Sequence, residues 1–101
     1  MMIDFSKLGM PVFTGRQRGQ DARKKLGLDS IDENEDCKVL IPDEVYAITS
    51  SYFLGLFGPS VRKFGGKDAF FSHFHFEGPR HITDKLDDFA TRALRDGSGL
   101  F

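Results

Sequence analysis

A chain of 101 residues, 40% hydrophobic and 29% charged, has the size and make-up of one soluble globular domain. Its net charge of −1 excludes a whole-chain bias toward nucleic acid or an anionic membrane. Its single cysteine, Cys37, excludes an internal disulfide framework and a cysteine-built zinc site.

Eleven phenylalanines and no tryptophan predict a modest core filled by a few large rings. The first residues, Met-Met-Ile-Asp-Phe-Ser-Lys, carry neither a positive n-region nor a long apolar h-region, and no apolar run approaches bilayer length. A cytoplasmic location with a reduced, buried Cys37 is the expectation.

Along the chain, Met2-Ile3-Asp4-Phe5 and Met10-Pro11-Val12-Phe13 are short apolar pieces separated by Gly9. They predict extended chain or a short hairpin, with Pro11 at an edge. Residues 14–28 predict a helix. Ala22, Leu26 and Leu28 form a thin apolar stripe, Arg16, Arg18, Arg23, Lys24 and Lys25 form a solvated basic surface, and Gly27 is the stop. An acidic loop is expected over 29–37, a strand over 38–41, and a connection or second strand piece over 45–48.

Thr49, Ser50 and Ser51 are N-cap residue types, followed by Tyr52, Phe53, Leu54, Leu56, Phe57, Val61 and Phe64 at helical spacing. A helix over 49–64 is expected, kinked or broken at Gly58-Pro59 and ended by Gly65-Gly66. Residues 68–76 predict a strand with Phe74 and Phe76 on one face and His73 and His75 on the other. A turn at Glu77-Gly78-Pro79 leads to an amphipathic helix over 82–95, with Thr83 as N-cap and Ile82, Leu86, Phe89, Ala90, Ala93 and Leu94 on one face. Its early aspartates, with Arg92 and Arg95 late, suit the helix dipole. Residues 96–101 are expected to be a mobile tail. Strands alternating with helices predict a small α/β domain, its sheet mixed or mostly parallel and flanked by about three helices.

The stretch Val45-Tyr-Ala-Ile-Thr-Ser-Ser-Tyr-Phe-Leu-Gly-Leu-Phe-Gly-Pro-Ser-Val-Arg-Lys-Phe-Gly65 resembles the STAS signature of a strand, a serine turn and a helix. It is most similar to the STAS-like family of unknown function, whose strand ends at Ser-Ser-Phe and leads into Leu-Phe-Gly and a helix. The upstream pattern Arg-x-x-Gly-x-x-x-Arg, here Arg16 through Gly19 to Arg23, is similar too. The resemblance covers about residues 14–76. It implies a bacterial regulatory module that binds a signalling protein such as a kinase-like ATPase, and in anti-sigma antagonists of the STAS family the first serine of the turn is phosphorylated. That serine corresponds to Ser50; Thr49 stands where the classical family has Asp, and Tyr52 where it has Gly.

Three readings of Ser50 and Ser51 stand side by side. They cap the helix, or Ser50 carries a phospho-switch, or the turn binds an anion at the helix N-terminus. Ser50, Ser51 and Thr49 form the candidate phosphorylation or anion site, and Tyr52, Arg16 and Arg23 are candidate partner contacts. The alternative function is a nucleotide- or nucleic-acid-binding accessory protein using the basic helix 16–25, although no interleaved aromatics accompany those charges. His73, His75 and His81 near Glu77 form a weak metal pattern, better read as the semi-polar side of a Phe/His strand. No nucleophile–base spacing or phosphate-binding glycine loop appears, so no catalytic residue, metal or cofactor is assigned. The Phe-rich strand and terminal Leu100-Phe101 leave room for a homodimer surface.

Overall fold

The computed structural model describes residues 2–8, 12–31 and 36–99. Strand β1 (Met2–Asp4) runs into a 3-10 turn over Phe5–Leu8, and β2 (Val12–Phe13) precedes helix α1 (Arg16–Leu26). A one-turn helix α2 (Leu28–Ile31) leads to β3 (Cys37–Leu40) and β4 (Ala47–Ile48). Helix α3 (Ser50–Phe64), helix α4 (Lys67–His73), strand β5 (Phe74–Glu77), helix α5 (Arg80–Thr83) and helix α6 (Leu86–Gly99) complete the chain. The fold is α/β, as the alternation of elements predicts.

Both sheets are parallel: one has the strand order β1-β3-β5, the other pairs β2 with β4. Thus β1 and β2 do not form a hairpin, because each finds a parallel partner later in the chain. In the larger sheet Ile3, Val39 and Phe76 lie in one row across the strands, flanked by the rows Met2-Lys38-His75 and Asp4-Leu40-Glu77. Side chains alternate between faces along a strand. Ile3, Cys37, Val39 and Phe74 are buried under the helices, whereas Met2, Lys38, His75 and Glu77 are exposed on the opposite face.

The core is a chain of rings. Phe53 and Phe57 of α3 meet Phe70 of α4, and Phe57 reaches Phe74 and Phe76 of β5 at centroid distances of 5.6 and 5.3 Å. Phe13 bridges Phe5 and Tyr52 edge-to-face. The tilted and T-shaped geometries are those the ring quadrupole favours.

Several expectations change. The strand of residues 68–76 begins only at Phe74, and 67–73 is helix α4. Phe70 and Phe74 fall one turn apart and stack at 4.7 Å, a contact that helical spacing gives and strand alternation does not. Helix α3 runs through Gly58-Pro59 unbroken. Proline there forfeits one backbone hydrogen bond, but Phe57, Ser60 and Val61 are buried around it and hold the helix in place. Thr83 ends α5 rather than capping a helix, with Asp84-Lys85 as a turn before α6. Helix α6 extends to Gly99. The edge position of Pro11, the acidic stretch 32–35 and terminal Leu100-Phe101 lie outside the described residues.

Candidate functional site

Helix α3 begins at Ser50 because Thr49 caps it. The Thr49 backbone is extended, and its hydroxyl accepts a hydrogen bond from the Tyr52 N–H at 3.3 Å. The Thr49 N–H donates to the Phe13 carbonyl of β2 at 2.9 Å, which ties the start of α3 to the smaller sheet. Of the three candidate caps Thr49 is therefore the one that caps, leaving Ser50 half-buried and Ser51 exposed in the first turn.

Ser50 has a partner from another element. The Arg92 guanidinium of α6 donates to Ser50 Oγ at 2.9 Å. Ser50, Ser51, Leu54, Arg92 and Arg95 line an open cleft of about 330 Å³ between the α3 N-terminus and α6. The first N–H groups of a helix lack helical partners and carry partial positive charge. Two guanidinium groups and two hydroxyls beside them make this cleft compatible with an anion. Arg92 and Arg95 sit inside α6 rather than in its last turn, so their role is not the dipole complement that their spacing predicts. Nothing local links Arg92 to Ser50, 42 residues earlier, and only the fold brings them together.

The other candidate residues separate. Tyr52 is buried, packed on Phe13, and burial pushes its phenol pKa upward. Arg23 is buried too, at 6% exposure. Its guanidinium donates to the Leu56 carbonyl at 2.9 Å and to Ser60 Oγ at 2.7 Å, and pairs with Asp29 at 2.8 Å. Both side chains are therefore almost wholly interior, which departs from the expectation of partner contacts at both, although Tyr52 still lines a cleft with Arg18 and Lys25. Arg23 faces α3 because Gly19, one turn earlier on α1, lets the two helices touch. Arg16, Arg18, Lys24 and Lys25 remain exposed on α1.

The histidines do not converge. His73 ends α4, stacked on Phe64 at 4.5 Å, with Nδ1 3.1 Å from the Ala69 carbonyl. His75 lies on the open sheet face with its Nε2 3.9 Å from Asp36, and His81 Nε2 is 3.1 Å from the Tyr46 carbonyl. The shared strand face of His73 and His75 is lost because His73 is helical. Among the described residues no group of three or more His, Cys, Asp or Glu could hold a metal ion. No helix among them is long and apolar enough to cross a membrane. No protein-family description, curated protein or solved structure matches this chain.

Proposed function

We propose that this chain is a non-catalytic, STAS-like regulatory module that binds a signalling protein through the surface around the start of α3, and that phosphorylation of Ser50 switches that surface. One observation carries the reading: Ser50 Oγ is half-exposed at a helix N-terminus and already accepts a hydrogen bond from Arg92. A phosphate there adds about −1.5 to −2 charge and three acceptor oxygens beside Arg92, Arg95 and the helix N–H groups. The modified side chain is thus held locally while the positive charge of Arg92 and Arg95 is largely neutralised. A kinase-like ATPase, as both modifying enzyme and binding partner, suits such a switch. The contact surface consists of Ser50, Ser51, Leu54, Arg92 and Arg95, with Tyr52 and Arg23 holding it from inside.

A second reading, an accessory protein binding nucleotide or nucleic acid through α1, is supported by the exposure of Arg16, Arg18, Lys24 and Lys25. It loses Arg23 to the interior. The two readings separate experimentally. Ser50→Asp changes protein capture under the first, whereas the second requires salt-sensitive binding to an oligonucleotide that falls with Arg18→Ala.

A further inference from the structure

Strand β5 ends the three-stranded sheet, and among the described residues only its β3 edge is paired. The Ile41 N–H donates to the Glu77 carbonyl at 2.8 Å, continuing the β3 ladder. Backbone groups in a strand alternate in direction, so His75 and Glu77 turn theirs to β3 while Phe74 and Phe76 turn theirs outward. The Phe74 N–H is taken by the Phe70 carbonyl at the end of α4. The outer edge therefore presents the Phe76 N–H and C=O and the Phe74 C=O. Unpaired edges of this kind are templates for another strand.

Alongside β5 opens a cleft of about 460 Å³, lined by Phe71, Phe74, Phe76, Thr83 and Leu86 among others. Phe71 and Phe76 are only partly buried there. The strand itself is self-complementary. Placed antiparallel to a second copy and centred on Phe76, Phe76 opposes its own copy as a hydrogen-bonded pair, each N–H meeting the other carbonyl. The same register lets the Gly78 N–H approach the Phe74 carbonyl of the second copy. On the open face His75 then lies opposite Glu77 of the second copy, twice, in the closer non-hydrogen-bonded positions. An imidazole N–H can donate to a carboxylate whether or not the ring is protonated. On the helix face the two Phe76 rings meet, and each closes the apolar cleft of the other. The neighbouring register, centred on His75, would oppose His75 to itself and would rely on Phe74, whose N–H is already used.

We propose that β5 is the pairing edge of a homodimer, with two copies of Phe74–Glu77 antiparallel about a two-fold axis at Phe76, forming one continuous six-stranded sheet. The relationship is isologous, so it closes at two copies.

The test is sedimentation velocity on the full chain over a concentration series. The wild type is expected to shift from one chain to two as concentration rises. His75→Glu sets Glu against Glu, and Glu77→Lys sets Lys against His while also giving up the exposed pair that Glu77 makes with Lys38 of its own chain at 2.9 Å. Each is expected to weaken the dimer about tenfold. Both positions are exposed, so circular dichroism and the melting midpoint report that the fold is kept. The doubly exchanged chain, His75→Glu with Glu77→Lys, should dimerise again, and a mixture of the two single variants should form the heterodimer. A wild type that stays at the mass of one chain throughout overturns the proposal, as does a dimer whose affinity is the same in all four proteins.

Discussion

Gly19 of α1 and Gly55 of α3 meet backbone to backbone where the two helices cross. A Cβ on Gly19 would run into the Tyr52 carbonyl and come within 2.9 Å of the Leu56 N, and one on Gly55 would run into the Arg16 carbonyl. The obstacles are helix backbone, which cannot swing aside. This contact sets how deeply α1 sits against α3, and so whether Arg23 can reach the α3 backbone.

Alanine is ordinarily better than glycine in a helix by about 1 kcal/mol. At Gly19 and Gly55 the sign is expected to reverse. Gly19→Ala and Gly55→Ala should each destabilise the fold by about 1–3 kcal/mol, the range for overpacking a closed site. Urea titration gives the answer as a lower midpoint, and a midpoint at or above that of the wild type would mean that the helices can part without loss.

Arg23 and Asp29 are paired, yet their environments differ. The Arg23 side chain is 7% exposed and that of Asp29 81%. The arginine also satisfies the Leu56 carbonyl and the fully buried Ser60 hydroxyl. Arg23→Ala removes both of those buried hydrogen bonds together with the packing of the side chain and should cost about 2 kcal/mol, since a buried hydrogen bond made by a charged group contributes about 1.5–3 kcal/mol. Asp29→Asn, at a solvent-screened site, should cost less than about 1 kcal/mol. Arg23→Lys should not rescue, because one ammonium cannot span three acceptors in the directions that the guanidinium fork reaches. Equal losses for Arg23→Ala and Asp29→Asn in chemical denaturation would contradict this division.

Tyr52 makes stability depend on alkaline pH. Burial raises its folded pKa above the ordinary phenol value, so the unfolded chain releases the proton first. The contribution is complete below the unfolded tyrosine pKa of about 10 and is lost as pH rises through the folded one. Tyr52→Phe should therefore remove part of the stability loss seen above about pH 10. With Tyr46→Phe as background, absorbance at the phenolate band should show the single remaining tyrosine titrating above the free phenol. A titration at the free value would mean that the ring is open to water.

Much of the fold was legible in local chemistry, and the exceptions have physical reasons. Gly27 and Gly65 end α1 and α3 in left-handed conformations, at φ of 67° and 81°, as their positions after apolar runs predict. The apolar face assigned to residues 82–95 is buried or half-buried at every position named. By contrast, Asp68–His73 carries residues compatible with both alternation and a one-turn repeat, and the helix is made by bonds to the fourth residue back, such as Phe70 N–H to Gly66 and Phe74 N–H to Phe70, together with the Phe70–Phe74 stack. The charge of Arg23 reads as surface until Gly19, Ser60 and Asp29 are brought around it, from positions up to 37 residues away. The Ser50 site was half legible. Its hydroxyls announce a helix start, but Arg92 and Arg95 belong to it only through the packing of α6 on α3, which Arg62 reinforces by donating to the Ala93 carbonyl at 3.3 Å.

The most direct test of the switch is intact-protein mass spectrometry on the chain purified from its native host with phosphatase inhibitors, followed by site mapping and the same measurement on Ser50→Ala. A population heavier by one phosphate, mapped to Ser50 and absent from Ser50→Ala, is the expected result. Chain that stays unmodified under every growth condition, or a phosphate that survives in Ser50→Ala, would contradict a phospho-switch at Ser50 and leave that hydroxyl as a structural partner of Arg92.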